Sequence, residues 1–177
     1  MMSLYVDLSI HKIEIVKPKR DLKPVLELQK KVDRTLPKDE YYCPTEFDEM
    51  MEDMEGDYIL LGVYDRGKLI AASFATQYGA LPDFKPVTDY IDFPVEKAMN
   101  HEFVIVDMDY RGNGLQKRFM DATMREARKL GYEYMWCCAH PDNTPSVCSI
   151  EASGYKCATT VQIGDWTRNI YYRSIII

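Results

Sequence analysis

The segment 111–116, Arg-Gly-Asn-Gly-Leu-Gln, carries residues that could hold an anion. Gly112 and Gly114 can adopt backbone conformations that let N–H groups approach a ligand closely. A helical pattern begins at Gly114, and the N-terminus of a helix adds a positive dipole end at the same place. Arg111 and Lys117 could add charge-assisted hydrogen bonds to phosphate oxygens. The segment therefore predicts a binding site for a diphosphate.

The spacing of these glycines argues against two common nucleotide-binding loops. No Gly-Lys-Ser/Thr follows, as a Walker loop requires. Lys117 stands where the dinucleotide fingerprint GxGxxG has its third glycine. From the residues alone, a tight strand-to-helix turn without a ligand is an alternative, in which the glycines serve only the backbone conformation.

The segment 106–115, Val-Asp-Met-Asp-Tyr-Arg-Gly-Asn-Gly-Leu, closely resembles the acetyl-CoA motif of the Gcn5-related N-acetyltransferase (GNAT) superfamily. The core of that motif is Arg/Gln-x-x-Gly-x-Gly/Ala after a strand. Arg111 and Gly114 match it, whereas Gln116 stands at the final Gly/Ala position. This departure could alter how closely the first helical turn approaches the phosphates.

A second match to the family lies downstream, in the segment 140–146, His-Pro-Asp-Asn-Thr-Pro-Ser, followed by Gly154 and Tyr155. The resemblance is tight over residues 103–155 and only topological elsewhere. It implies that two strands splay apart and that the pantetheine arm of acetyl-CoA lies in the gap between them.

Carry-over from the family assigns the splayed strands to Val104–Val106 and Met135–Ala139, and gives Asn143 a pantetheine contact. Asn143 could also cap the following helix. The residues that we expect to bind the cofactor are Val104, Ile105, Val106, Arg111, Gly112, Asn113, Gly114, Leu115, Gln116, Lys117, Asn143 and Ser146.

The familiar catalytic groups of the family are missing from this sequence. Ile150 stands where many members have a tyrosine acid, and Asn100 stands where many have a glutamate. Acyl transfer needs a neutral amine, so a base is useful because an alkylammonium has a pKa near 10.4. The remaining candidates as base are Glu102 and His101, and Cys148 is a candidate proton donor.

Strand alternation places two of these candidates on opposite sides. If the strand is regular, Glu102 shares a face with Val104 and Val106, and only one of Glu102 and His101 can face the cleft. Each candidate also has a structural alternative, as a solvated strand end, a satisfied histidine or a helix-packing cysteine. Tyr171 and Tyr172 have the chemistry of an acid, but they suit a sheet equally well.

The acceptor pocket has weaker signals. Phe84, Asp89 and Tyr90 combine aromatic and acidic groups in the long connection 79–98 and could hold an amine head. The acidic segment 46–53 could attract a cationic amine, although a solvated helix face explains it as well.

The order of elements predicts a single α/β domain over residues 1–177. We expect the GNAT-like fold: a central mixed, mostly antiparallel sheet with a splayed parallel strand pair and helices on both faces. The expected N-terminal elements are a strand at 12–17, a helix at 21–36 with Pro24 in its first turn, and a helix ending near Met54 that opens with a capping box of Thr45 and Asp48. Next come a hairpin of 57–64 and 68–78, the strand and helix around the glycine loop, a strand to Ala139, and final strands at 155–163 and 167–177.

Bulk composition excludes several classes of protein. The net charge of −6 and pI of about 5.1 argue against a nucleic-acid partner. No apolar run is long enough to span a membrane and no signal peptide is recognised, so we expect a cytoplasmic protein. The five cysteines suggest neither a disulfide framework nor a metal site. The C-terminal isoleucines 175–177 would suit a sheet core or a homodimer contact.

The sequence therefore predicts an N-acetyltransferase that transfers an acyl group from acetyl-CoA to a small-molecule or peptide amine. The resemblance implies direct attack by the amine, without a covalent enzyme intermediate. The main alternative is a non-catalytic acyl-CoA-binding sensor, because both familiar catalytic groups are absent. A nucleotide-binding interaction module is a third possibility.

Overall fold

The computed structural model describes residues 14–15, 18–77 and 89–176. The strands within those ranges are β1 (Glu14–Ile15), β2 (Tyr58–Asp65), β3 (Lys68–Gln77), β4 (Ala98–Val106), β5 (Tyr134–Ala139), β6 (Lys156–Ile163) and β7 (Trp166–Ser174). The α-helices are α1 (Pro18–Asp33), α2 (Phe47–Asp53), α3 (Leu115–Lys129) and α4 (Thr144–Ala152). Short 3-10 turns cover Asp39–Tyr41, Val95–Lys97 and Met108–Tyr110.

The strands form one sheet in the order β1-β2-β3-β4-β5-β7-β6. Within the described residues, β4 and β5 are the parallel pair, and the other neighbours are antiparallel. Pairing of β4 with β5 runs from Ala98 opposite Tyr134 to Asn100 opposite Trp136 and then stops. The two strands part beyond that point. The predicted mixed sheet with a splayed parallel pair is thus confirmed.

Helices cover both faces of the sheet, as predicted. On the face that we call the front, α1 and α2 bury an apolar stripe that includes Val25 and Met50 against Phe74 and Phe103. On the back face, α3 and α4 pack against the alternate residues of the same strands, with Phe119 and Ile150 in that core. The period-2 alternation of the strands divides the residues between these two layers.

Two predicted helix starts are wrong. The first helix begins at Pro18 rather than at residue 21, so Pro24 lies inside α1 instead of in its first turn. Pro24 has no N–H to donate to the preceding helical turn. Its helix nevertheless continues, because an apolar stripe through Val25 and Leu28 is buried against the sheet.

The capping box of α2 is formed by Glu46 and Glu49 rather than by Thr45 and Asp48. Thr45 is held elsewhere: its backbone N–H donates to Oε1 of Gln29 on α1, at 2.9 Å. Because this bond fixes Thr45 against α1, the helix begins after Glu46. A glutamate can fill the cap position, since its carboxylate accepts the orphan N–H groups of the first turn.

The final predicted strand, 167–177, is present as β7 but ends earlier, at Ser174. The predicted hairpin is present as β2 and β3, and Ile175 is buried in the back-face core while Ile176 is exposed. The predicted strand 12–17 is described only at Glu14–Ile15, and residues 79–88 of the long connection and Ile177 lie outside the described residues. None of the described helices has the length and apolar character to cross a membrane.

Candidate active site

A cavity of about 500 Å³ lies where β4 and β5 part. Its walls come from β4, the glycine loop, the starts of α3 and α4, the end of β5 and the segment that follows α1. The sequence-predicted residues that line it are His101, Glu102, Val104, Ile105, Val106, Arg111, Gly112, Gly114, Leu115, Gln116, Asn143 and Ser146. The predicted residues Asn113, Lys117 and Cys148 are not among its lining residues.

The glycine loop presents an open surface to this cavity. Gly112 and Gly114 both have left-handed backbones, with φ of 80° and 68°, and a Cβ added at either would meet no atom within 4 Å. The glycines therefore serve the backbone turn, and the space above them is open. Gly114 is the N-cap of α3, so the first N–H groups of that helix have no partner within the helix. This arrangement suits a diphosphate.

Side chains of the glycine loop stabilise it through hydrogen bonds to nearby backbone carbonyls. The Asn113 amide donates to the carbonyls of Tyr110 and Arg111, at 3.0 and 3.2 Å. Arg111 is tied to the protein as well: Nε donates to the Val106 carbonyl at 3.2 Å, and Nη2 donates to Thr35 Oγ1 at 2.9 Å. Partial burial lowers the pKa of Arg111 below its ordinary value. Both side chains thus have structural roles that the sequence analysis did not foresee.

Asp107 anchors the start of the loop and was not singled out from the sequence. Its side chain is fully buried and accepts hydrogen bonds from Lys31 Nζ at 2.6 and 2.7 Å and from Lys68 Nζ at 3.2 Å. Burial alone would raise the pKa of Asp107, but the two lysines outweigh it and hold that pKa below its ordinary value. The contact ties α1 and β3 to the end of β4.

Two predicted cofactor residues are engaged on α3. Gln116, the departure from the family motif, donates through Nε2 to Ser146 Oγ at 3.4 Å. This bond joins the N-termini of α3 and α4 along the cavity wall. Lys117 forms an ion pair with Asp121 at 2.7 Å on the half-exposed surface of α3. Its phosphate contact stays a prediction.

Asn143 precedes α4 and lines the cavity. It is the N-cap of the helix by position, yet its side chain makes no capping hydrogen bond. Asn143 thus caps α4 by position, as predicted, but not through a hydrogen bond of its side chain. Its amide is left available to the cavity.

A bulge in β4 overturns the predicted facing of Glu102. Pairing with β3 shifts register, from Phe74 opposite Phe103 to Ala75 opposite His101, so Glu102 has no partner of its own. Because the extra residue interrupts the alternation, Glu102 lies on the front face while Val104 packs against the back-face core. Both Glu102 and His101 line the cavity, contrary to the expectation that only one could.

Glu102 is partly buried in an environment that disfavours its charged form. Burial and the nearby carboxylate of Asp53 raise the pKa of Glu102 to about 7, against hydrogen bonds from Asn100 and Thr76 that lower it. The Asn100 amide donates at 2.5 Å and the Thr76 hydroxyl at 3.2 Å, both to Oε1. A carboxyl group with this pKa can accept and release a proton near neutral pH.

His101 faces the back of the sheet. Its Nε2 lies 2.8 Å from Ser73 Oγ, which in turn lies 3.0 Å from the hydroxyl of Thr123 on α3. Burial lowers the pKa of His101 to about 4, so the imidazole is neutral at physiological pH. It is less suited than Glu102 to act as a base at pH 7.

The other proposed side chains are dispersed. Cys148 is exposed on α4 and does not line the cavity, whereas Ile150 lines it and is buried. Tyr171 is buried in the back-face core and Tyr172 packs with the apolar cluster around Trp136, as sheet residues do.

Of the predicted acceptor residues, the two that the structure describes, Asp89 and Tyr90, do not line the cavity. Asp89 is exposed, and Tyr90 packs against the cluster that contains Phe93 and Trp136. Phe84 lies outside the described residues. Within the part of the chain that the structure describes, no group of three or more side chains is arranged to hold a metal ion.

The segment between α1 and α2 forms a wall of the cavity that sequence reasoning missed. Tyr41 and Tyr42 line the cavity, and the Tyr41 hydroxyl donates to the Asp142 carbonyl at 3.1 Å. Lys38 Nζ binds the Asp142 carboxylate at 3.0 Å, and the Tyr41 ring lies 5.2 Å from the ring of His140. The segment thereby contacts the connection between β5 and α4 on the opposite side. No local pattern predicts such long-range contacts.

Comparison with known protein families supports the interpretation of this loop. The model of the acetyltransferase (GNAT) family matches residues 25–155 of the chain. The chain belongs to the GNAT acetyltransferase family. The match spans the glycine loop, the parted strands and the segment ending at Tyr155, so it confirms the resemblance drawn from those motifs. None of the functionally curated proteins matches the chain in sequence.

Solved structures show the same fold at low sequence identity. An N-acetyltransferase from Staphylococcus aureus Mu50 is 17% identical with a TM-score of 0.72, covering 95% of this chain and 100% of that chain. The ribosomal-protein-S18-alanine N-acetyltransferase from Escherichia coli is 16% identical with a TM-score of 0.67, covering 95% and 96%. A GNAT superfamily phosphinothricin acetyltransferase from Sinorhizobium meliloti, in complex with acetyl-CoA, is 16% identical with a TM-score of 0.68, covering 93% and 88%.

Proposed function

We propose that this GNAT protein transfers the acetyl group of acetyl-CoA to the primary amine of an acceptor, by direct attack within a ternary complex. The observation that carries the proposal is the meeting of three features around one cavity. These are the open glycine loop at the start of α3, the parting of β4 from β5, and the partly buried carboxyl group of Glu102. A structure related in fold contains acetyl-CoA.

The residues of the cavity fit the parts of acetyl-CoA. Backbone N–H groups at Gly112, Gly114 and the first turn of α3 would hold the diphosphate. After Asn100, the edge of β4 that faces β5 has no strand partner. Buried backbone N–H and C=O groups need hydrogen-bond partners, and the amides of the pantetheine arm would supply them here. The free Asn143 side chain would lie on the opposite side of the arm. Acetyl-CoA supplies the acetyl group as an activated thioester.

Glu102 is the proposed general base. Its carboxylate would take a proton from the acceptor's ammonium group, directly or through water, and leave a neutral amine. The bond to Asn100 and the bond to Thr76 hold one oxygen of the carboxylate, Oε1. The pKa of about 7 makes proton uptake possible near neutral pH, since a fully ionised carboxylate of ordinary pKa would be a weaker base.

The bond changes of the proposed reaction follow from this arrangement. The amine nitrogen bonds to the acetyl carbonyl carbon, the carbon–sulfur bond breaks, and CoA leaves as a thiolate that is then protonated. The unpaired N–H groups of β4 beyond Asn100 would polarise the carbonyl oxygen. Ile150, at the family's acid position, cannot donate a proton. We therefore propose that the thiolate takes its proton from water or from the amine itself.

Calorimetric titration of acetyl-CoA into wild-type protein and an Arg111→Ala, Gly114→Trp double variant tests the binding site. The wild type should bind and the variant should lose binding, because an indole would fill the open space over the loop. The matched control is Gly164→Trp, which puts the same side chain on another left-handed glycine with open space, in the turn between β6 and β7.

A thiol-release assay against a panel of primary amines then tests turnover. Release of CoA with some amines supports the enzyme. Binding without release on the whole panel would favour an acyl-CoA sensor, which the absence of the family's tyrosine acid also permits. Failure to bind acetyl-CoA would overturn the proposal.

A further inference from the structure

The wall of the cavity on the front face of the sheet is apolar and aromatic. Its members come from the front-face core of α1 and β4, from a tyrosine packed against that core, and from the segment that follows α1. Glu102 adjoins this wall, because it precedes Phe103 on β4 and projects from the same face. What we call the front wall consists of the lining residues Val32, Leu36, Tyr41, Tyr42, Phe103 and Ile105.

The two tyrosines of the front wall have already used their hydrogen-bond donors. The Tyr42 hydroxyl donates to Oε1 of Gln29 at 2.5 Å, and the same oxygen accepts the backbone N–H of Thr45. The Tyr41 hydroxyl donates to the Asp142 carbonyl at 3.1 Å. Because both O–H groups have an acceptor within the protein, the tyrosines offer a ligand their rings rather than a free donor.

The charges around the cavity suit a ligand with a single ammonium group. Of the lining residues in the described part of the chain, Glu102 is the one carboxylate and Arg111 the one guanidinium, and no lysine is among them. Arg111 belongs to the glycine loop and is bonded to the Val106 carbonyl and to Thr35. Glu102 can attract one ammonium group. A carboxylate or a second ammonium group beside the front wall would lose water without gaining an opposite charge.

The size of the cavity limits the acceptor as well. Its volume of about 500 Å³ has to hold the pantetheine arm in addition to the acceptor. The enclosed part of the acceptor is therefore small. Burial of an apolar group against the front wall is favourable, and an aromatic ring can also stack on the tyrosine rings.

We propose that the acceptor is an apolar primary monoamine of the arylalkylamine type, whose ammonium group lies at Glu102 and whose ring packs against the front wall. This inference rests on the proposed acetyl transfer and names its substrate class. Amino acids and polyamines, which carry a second charge close to the reacting amine, are excluded as preferred acceptors.

The first test compares matched acceptors in the thiol-release assay at saturating acetyl-CoA. Phenethylamine should exceed ethylamine in kcat/KM by roughly 10- to 100-fold, because its ring is buried. It should exceed phenylalanine, which adds only a carboxylate to the same skeleton, by roughly 100-fold or more. The α-amine of an amino acid has the lower pKa, so protonation of the amine cannot explain this preference. Hexylamine should likewise exceed hexamethylenediamine, which adds a second ammonium group.

Variants of Tyr41 test the front wall itself. Tyr41→Ala removes the ring and should lower the ratio of kcat/KM for phenethylamine to that for ethylamine by about tenfold, mainly through the KM of phenethylamine. Tyr41→Phe keeps the ring and loses the bond to the Asp142 carbonyl, so this ratio should stay as in the wild type. The control is Phe47→Ala, which removes a half-exposed aromatic side chain of α2 that does not line the cavity. It should leave the ratio unchanged.

Either of two results would overturn the acceptor class while leaving acetyl transfer intact. One is turnover of phenylalanine or hexamethylenediamine at least equal to that of its apolar counterpart. The other is an equal loss on phenethylamine and ethylamine in Tyr41→Ala, which would mean that Tyr41 only supports the fold. Calorimetry of phenethylamine with CoA-saturated protein separates these failures from that of the reaction. Binding that weakens in Tyr41→Ala but not in Tyr41→Phe, with no thiol release, would overturn acetyl transfer and support the apolar site.

Discussion

Glu102 is the residue whose environment most directly shapes the proposed chemistry. The bulge in β4 turns it to the front face, and burial next to Asp53 raises its pKa to about 7. The carboxylate form, which acts as the base, therefore accumulates as the pH rises through 7. A strand of regular alternation would have placed the same side chain towards α3.

Replacing Glu102 with glutamine should lower kcat by roughly 10²- to 10⁴-fold, the usual worth of a general base, and leave acetyl-CoA affinity unchanged. Thiol release measured against pH should rise through about pH 7 in the wild type, and this rise should be absent in the variant. Asp53→Asn should move the rise to lower pH, because the Asp53 charge raises the pKa of Glu102. An unmoved pH profile in both variants would exclude Glu102 as the base.

Glu102 should also make the protein less stable at alkaline pH. Its folded-state pKa of about 7 exceeds its ordinary value of 4.5, so the favourable contribution of its neutral form is full below pH 4.5 and is lost as the pH rises through 7. The glutamine of Glu102→Gln cannot ionise. The free energy of unfolding of this variant, relative to that of the wild type, should therefore increase by roughly 2–3 kcal/mol between pH 5 and pH 8. Urea denaturation at the two pH values measures this.

The control for that stability measurement is Glu55→Gln, which changes an exposed glutamate beyond α2. Its stability relative to wild type should be the same at both pH values. A Glu102→Gln difference that is equally independent of pH would show that the carboxyl group ionises in the folded protein as it does in water.

At the scale of the elements, the loop between β4 and α3 combines a backbone turn with charged anchors. Gly114 is left-handed because the chain must turn into α3, and open space lies above it. Asp107 fixes the beginning of the loop to Lys31 and Lys68. The loop is thus positioned by α1 and β3 as well as by its own sequence.

Gly114→Ala should lose about 1–2 kcal/mol of stability, the cost of a left-handed backbone for a residue with a Cβ. It should also weaken acetyl-CoA binding, because the added methyl projects into the open space of the proposed diphosphate site. Gly164→Ala has the same kind of backbone, with φ of 56° and open space, and should lose stability without losing affinity. Denaturation and calorimetry of both variants separate the two effects, and equal affinities would contradict the assigned site.

Asp107→Asn should reduce the free energy of unfolding by about 1–3 kcal/mol, because two lysines lose the buried carboxylate that they bind. The pKa of Asp107 is lowered in the folded protein, so its stabilisation is present above the ordinary value of 3.8 and is lost as the pH falls below it. Chemical denaturation at pH 7 and pH 3 should show a difference from wild type that shrinks at pH 3. Asp109→Asn changes a carboxyl group that is 71% exposed and should have little effect at either pH.

Local sequence predicted the elements around the glycine loop better than the ones before it. The strand, loop and helix from residue 98 to Lys129 have strong local signals: a β-branched run, two glycines and an apolar stripe. The capping box predicted at Thr45 was wrong because the Thr45 backbone N–H is bonded to the side chain of Gln29, which lies on another helix. The predicted facing of Glu102 was wrong because the strand contains a bulge. The register of β4 is set by its pairing with β3 and not by the sequence of β4 alone.

At the scale of the whole molecule, the parting of β4 and β5 creates the cavity, and distant segments complete it. The sequence predicted the splay through family resemblance, and the register after Asn100 confirms it. It could not predict that the Tyr41 hydroxyl binds the Asp142 carbonyl. Such contacts join segments that are far apart in the chain, and no local sequence pattern predicts them.

The most direct test of acetyl transfer follows the acetyl group itself by mass spectrometry. The protein is mixed with isotopically labelled acetyl-CoA and the panel of primary amines, and the label is located on the acceptors and on the intact protein. The account predicts label on an acceptor nitrogen, in an amount equal to the CoA thiol released, with the protein itself unlabelled. Acetyl-CoA that stays intact with every amine, or label retained on a protein side chain in place of the acceptor, would contradict it.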